Sequence, residues 1–160
     1  MDRVAVLSGA AILDTSWLLE LYRVPGDFDA SRTLSVRTET TDLIDARCEL
    51  FVTVPVLFEV ASHITRVRHG RRRRNLGERL RDDIASSIDY ESPWTIVTVG
   101  SDILLRSQDV IRLAERFLES SGPNYSFADI SIIDLARELR QPRRKVKILA
   151  FDRQLLSYSD

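Results

Sequence analysis

The sequence predicts a three-layer α/β/α domain built on a mainly parallel sheet of four or five strands. Two observations carry this. Short apolar runs alternate with helix-patterned segments, the mark of βαβ units. The runs Ala10 to Leu13, Leu50 to Val54 and Val146 to Phe151 read mostly as continuous apolar runs rather than alternating ones, as burial on both faces demands. The 160 residues suit one domain, expected to span positions 1 to 160.

The elements follow in order. Ala10 to Leu13 is a buried strand and Ser16 to Tyr22 a helix. Pro25 and Gly26 mark a loop from Val24 to Ala30. Ser31 to Arg47 reads as a helix with Leu34, Leu43 and Ile44 on its apolar side. Leu50 to Val54 is a strand that Pro55 ends. Val56 to His69 and Leu76 to Ile88 are helices separated by Gly70 and four arginines. Thr95 to Val99 is the third strand and Ile103 to Ser120 a helix. Gly122 and Pro123 break the chain, Ser126 to Leu139 is a helix, and Val146 to Phe151 is the fourth strand before a short helical turn. The first strand is expected at the centre, flanked by those around Val52 and Ile148.

Composition excludes little. With 23 Lys and Arg against 24 Asp and Glu, a nucleic-acid binder would have to segregate its charges by face. The single cysteine, Cys48, cannot form an internal disulfide, which fits a reducing cytoplasm. The apolar stretch Val4 to Leu21 is interrupted by Asp14 and reads as a strand and a helix. It is neither a signal peptide nor a membrane span.

In an open parallel sheet, ligands bind at the carboxyl ends of the strands. Asp14 ends the first strand and Asp152 the fourth. Glu59 is expected in the first turn of the helix after the second strand, and Asp129 in the first turn of the helix leading to the fourth. Two carboxylates about 4 Å apart repel by roughly 4 kcal/mol at an effective dielectric near 20. Such a cluster raises its pKa values or recruits cations. All-oxygen donors without His or Cys suit Mg2+ or Mn2+, which can activate water and stabilise the charge of phosphoryl transfer.

Each acid also has a plainer explanation. Asp14 can cap its helix, Ser126 to Asp129 forms a capping box, Asp152 can pair with Arg153, and Glu59 can be a solvated helix acid. Asp134 lies about 140° round the helix from Asp129 and reads as a structural acceptor. The run Arg71, Arg72, Arg73 and Arg74 is either a phosphate-binding patch or a solvated turn. Arg143, Arg144 and Lys145 precede the fourth strand and belong on the opposite rim. His63 and His69 read as helix-surface residues.

Four ordered segments resemble the motifs of PIN-domain nucleases. They are Asp14-Thr15-Ser16, Phe58-Glu59-Val60, Phe127-Ala128-Asp129 and Phe151-Asp152-Arg153. The resemblance covers nearly the whole chain. It implies that the four acids bind Mg2+ or Mn2+ and cleave RNA, with Ser16 hydrogen-bonding to the first acid. It also implies a toxin inhibited by a small antitoxin, and a homodimer. Two features depart from the family: little chain follows Asp152 for the usual fifth strand, and Arg23 to Glu49 is longer than in compact toxins. The helices Val56 to His69 and Leu76 to Ile88 are expected to form a hairpin beginning and ending near the acids. With the helix around Ile44, they would frame a groove for the antitoxin.

Three rival functions compete with this reading. An aspartyl phosphatase usually has a second Asp where this chain has Ser16. A nucleotide-binding module needs a glycine-rich loop that is missing here. A non-catalytic PIN-like scaffold for RNA or protein normally lacks one or more of the four acids.

Overall fold

A computed structural model describes residues 9–97, 107–119, 124–140 and 144–159. Four strands form one sheet: β1 (Ala10–Leu13), β2 (Glu49–Thr53), β3 (Thr95–Val97) and β4 (Val146–Leu149). All three pairings are parallel and the order is β3-β2-β1-β4, so β1 lies inside, between β2 and β4. Every residue of β1 is at most 1% exposed. Successive strand side chains point to opposite faces, so both faces of the sheet are covered at its centre.

The helices are α1 (Thr15–Tyr22), α2 (Ala30–Asp45), α3 (Val54–Thr65), α4 (Gly70–Tyr90), α5 (Ser107–Glu119), α6 (Phe127–Leu139) and α7 (Arg153–Leu156). Ile12, Leu13, Val52, Ile148 and Leu149 of the sheet meet Leu18, Val56, Ile132 and Leu135 in one buried cluster. No helix among the described residues is long and apolar enough to cross a membrane.

Several boundaries differ from expectation for identifiable reasons. Pro55 does not simply end β2. It occupies the first positions of α3, where its missing N–H costs nothing. Glu59 therefore sits in the second turn of α3, not the first. α3 stops at Thr65, and α4 starts at Gly70 with His69 as its cap, so the four arginines are helical rather than a turn. α2 buries Val36 and Thr40, while Leu34 and Ile44 are largely exposed. Trp17 decides that face, because its indole N–H donates to Thr40 Oγ1 at 3.1 Å.

No strand follows β4 among the described residues. The expected end of β3 at Thr98 and Val99, the start of the next helix at Ile103, the break at Gly122 and Pro123, and Arg143 lie outside the described residues.

Candidate active site

Asp14 directly follows the last residue of β1 and caps α1. It is 7% exposed, and its Oδ2 accepts from Ser16 N at 3.1 Å and Ser16 Oγ at 2.6 Å. Burial raises the Asp14 carboxyl above the usual range. The Ser16 hydroxyl and nearby backbone amides pull it down, and the charge of Asp129 pushes it further up. Ser16 Oγ also accepts from Phe151 N at 3.3 Å, tying the end of β1 to the turn that carries Asp152.

Asp129 closes a capping box on α6. Its Oδ2 accepts from Ser126 N at 2.7 Å, and its own N–H donates to Ser126 Oγ at 3.2 Å. Its carboxyl is raised by burial, lowered by the Ser126 bonds, and raised again by the charges of Glu59 and Asp152. Half-buried Glu59 is held through Oε2 by the Thr15 hydroxyl at 2.8 Å. Exposed Asp152 caps α7, accepting from Gln154 N at 2.8 Å.

Asp129 is therefore the electrostatic hub: Asp14, Glu59 and Asp152 each interact with it through charge. Their bonds come from hydroxyls and backbone amides, which stabilise a carboxylate without cancelling its charge. The donor chemistry fits a hard divalent cation. Yet among the described residues no three His, Cys, Asp or Glu side chains stand close enough to hold one ion together. Mg2+ needs less than that, since it is commonly held by one or two carboxylates and keeps several waters.

The expected Ser16 bond to Asp14 is present, but sequence reasoning missed the other hydroxyls. Thr15 is 6% exposed and joins α1 to α3 through Glu59. Thr53 ends β2, and its hydroxyl lies 2.7 Å from Ser131 Oγ on α6, both residues fully buried. That pair fixes α6, and hence Asp129, against the sheet. Tyr125 was missed too. Burial, its bond with Tyr158, and the charges of Asp152 and Asp129 all raise its phenol. Only Thr15, adjacent to Asp14, had a sequence signal.

Other expected residues fall elsewhere. Asp134 accepts from Arg116 Nη2 at 3.1 Å, tying α5 to α6. Arg144 pairs with Glu49 at the start of β2, on the opposite rim. His63 is half-buried, not a surface residue, with Nδ1 2.9 Å from Asp27 Oδ2. His69 caps α4 by accepting from Arg72 N at 3.2 Å.

The expected hairpin forms from α3 and α4, but it does not return to the acids. α4 leads into the start of β3, which lies on the rim where parallel strands begin. The apolar groove between α3 and α4 is lined by Ile64, Leu80, Ile84 and Ile88. Ile44 instead lines a separate cavity with Cys48, Glu49 and Pro93.

The architecture is a PIN-like fold. The chain superposes on the crystal structure of Mycobacterium tuberculosis VapC20, a toxin that cleaves the sarcin-ricin loop. The TM-score is 0.58 and the identity 16%, over 92% of this chain and 93% of VapC20. At that identity the likeness carries the fold alone. No family model matches the sequence, and no curated protein matches it either.

Proposed function

We propose that this chain is a metal-dependent endoribonuclease that hydrolyses RNA phosphodiester bonds at Asp14, Glu59, Asp129 and Asp152. The observation that carries the reading is that four acids on a PIN-like fold are each held by hydroxyls or backbone amides, with no ion pair to the chain's own cations among the described residues. Mg2+ or Mn2+, bound by Asp14 and Asp129 with Glu59 and Asp152 nearby, would supply charge neutralisation and an activated water.

The chain's own groups prepare that site. Ser16 and the Thr15 hydroxyl orient Asp14 and Glu59 before anything binds, so little side-chain freedom remains to be lost. Asp129, raised by burial and then by the charges of Glu59 and Asp152, is a carboxylate whose charge a cation would relieve.

The test is cleavage of a labelled RNA hairpin and of a single-stranded RNA. Activity should require Mg2+ or Mn2+ and stop with EDTA. Absence of cleavage with either ion, in folded protein, would favour the scaffold reading. A structured hairpin is the first substrate to try because VapC20 cleaves the sarcin-ricin loop.

We further propose a cytoplasmic toxin, a homodimer, held by a cognate antitoxin. An arginine or lysine of that partner would neutralise the acids in place of the metal. Co-expression with the upstream gene product should yield a complex and relieve growth arrest. Normal growth without that partner would remove the toxin assignment.

A further inference from the structure

Arg71 to Arg74 do not form one patch. They open α4, where successive side chains turn by about 100°. Arg73 Nη1 donates to the Val67 carbonyl at 3.0 Å, and Arg74 pairs with Glu78 at 3.3 Å. Only Arg72 of the four lines a cavity of 450 Å³ between the turn after α1 and the α3–α4 junction. Pro25 and Gly26 form one wall, and Arg66, Arg68, His69 and Arg72 form the other.

This lining offers donors almost exclusively. Arg66, Arg68 and Arg72 are exposed, and among the described residues none of them pairs with a carboxylate. Arg72 Nη2 makes only a 3.4 Å bond to the Arg23 carbonyl. His69 accepts at Nδ1 from Arg72 N, so its Nε2 carries the proton and is a donor. The carboxylate of the neighbouring turn, Asp27, faces His63 instead. Elsewhere arginines do pair with acids, as in Arg79–Asp83, Arg81–Asp82 and Arg116–Asp134. Three unpaired guanidiniums around one hollow call for an anion with several acceptor oxygens. Gly26 sits at φ +89 in the opposite wall, a backbone shape that glycine adopts without strain.

α3 connects this hollow to the acids. Glu59, His63 and Arg66 stand at i, i+4 and i+7, on one face of the helix. Arg66 is thus about 10 Å along the axis from Glu59. A strand rising about 3.4 Å per nucleotide covers that distance in about three nucleotides.

We propose that the cavity is a phosphate subsite that grips the RNA backbone about three nucleotides from the scissile bond. The identity of the strand rests on the ribonuclease reading; the demand for an anion does not. The experiment measures binding of a fluorescein-labelled 12-nucleotide RNA in EDTA, across a range of KCl concentrations. In the Arg66→Ala/Arg68→Ala/Arg72→Ala variant, Kd should rise about 10-fold. The slope of log Kd against log salt should fall by about 0.7, the value for one lost single-strand phosphate contact. Arg68→Glu, a single exposed site between helices, should move both in the same direction if the triple variant melts early.

Unchanged affinity and slope in a folded variant overturn the subsite. So does polyglutamate competing as well as unlabelled RNA, which would assign the hollow to an acidic protein. Arginine-dependent binding by a protein that never cleaves RNA leaves the subsite standing and removes the ribonuclease reading. Metal-dependent cleavage with kcat/KM and binding unchanged in the variant removes the subsite alone.

Discussion

The two rims of the sheet treat carboxylates in opposite ways. Where the strands begin, Glu49 on β2 is paired with Arg144, whose guanidinium also lies over the Phe51 ring at 5.6 Å. Where they end, Asp14 and Asp129 are buried or half-buried, both have carboxyls raised first by burial and then by neighbouring acids, and both are held by hydroxyls and amides. On the first rim the chain supplies its own countercharge, and the acid is structural. On the second no ion pair forms among the described residues, and folding carries a repulsion that an outside cation can relieve.

Asp14→Asn should break this contrast most sharply. Asn caps a helix as well as Asp does, so the fold should persist while cleavage falls roughly 100-fold or more, about 2.7 kcal/mol of barrier. Wild-type rates in that folded variant would remove Asp14 from the site. Thr15→Val comes next. Losing the 2.8 Å bond frees Glu59, and kcat/KM should drop roughly 10-fold, the lower range for groups that orient a metal ligand. An unchanged pH–rate profile would separate this orienting role from proton transfer.

Stability should move the other way. Asp14 has a folded pKa above its unfolded value of 3.8, so its contribution is full below pH 3.8 and is lost as pH rises through the folded value. At neutral pH without metal, Asp14→Asn should therefore melt higher, by about 2–4 °C per kcal/mol recovered. Mg2+ should raise the wild-type melting temperature and leave that of the variant nearly unchanged. A variant melting below wild type at pH 7 would show that the Ser16 bonds outweigh burial. The smallest effect belongs to the other rim: Arg144→Ala should cost about 1 kcal/mol in a denaturant titration and leave cleavage untouched.

How much of this was legible depends on whether a signal is local. The buried strands were readable because a strand covered on both faces must be apolar throughout, as Ala10 to Leu13 is. The capping box at Ser126 and Asp129 was readable because both partners lie within one turn. The start of α4 was not. Gly70 reads as a breaker and the apolar period begins only at Leu76, while a histidine cap gives little sequence signal. The apolar face of α2 was misjudged because a partner 23 residues away, Trp17, sets it. For the site, the order of the acids and the Ser16 bond to Asp14 were visible, but the Thr15 bond to Glu59 and the Thr53–Ser131 pair were not. Thr53 and Ser131 are 78 residues apart, and nothing local marks two hydroxyls as a pair.

The outer edge of the sheet has a consequence of its own. Leu149 O accepts from Asp14 N on the β1 side, so the N–H of Ile148 points the other way, toward the open edge of β4. Ser159 Oγ accepts that N–H at 3.0 Å. An unsatisfied edge amide is a template on which another chain can lay a strand. Here a single hydroxyl occupies it, so one serine after α7 helps guard the protein against aggregation through β4.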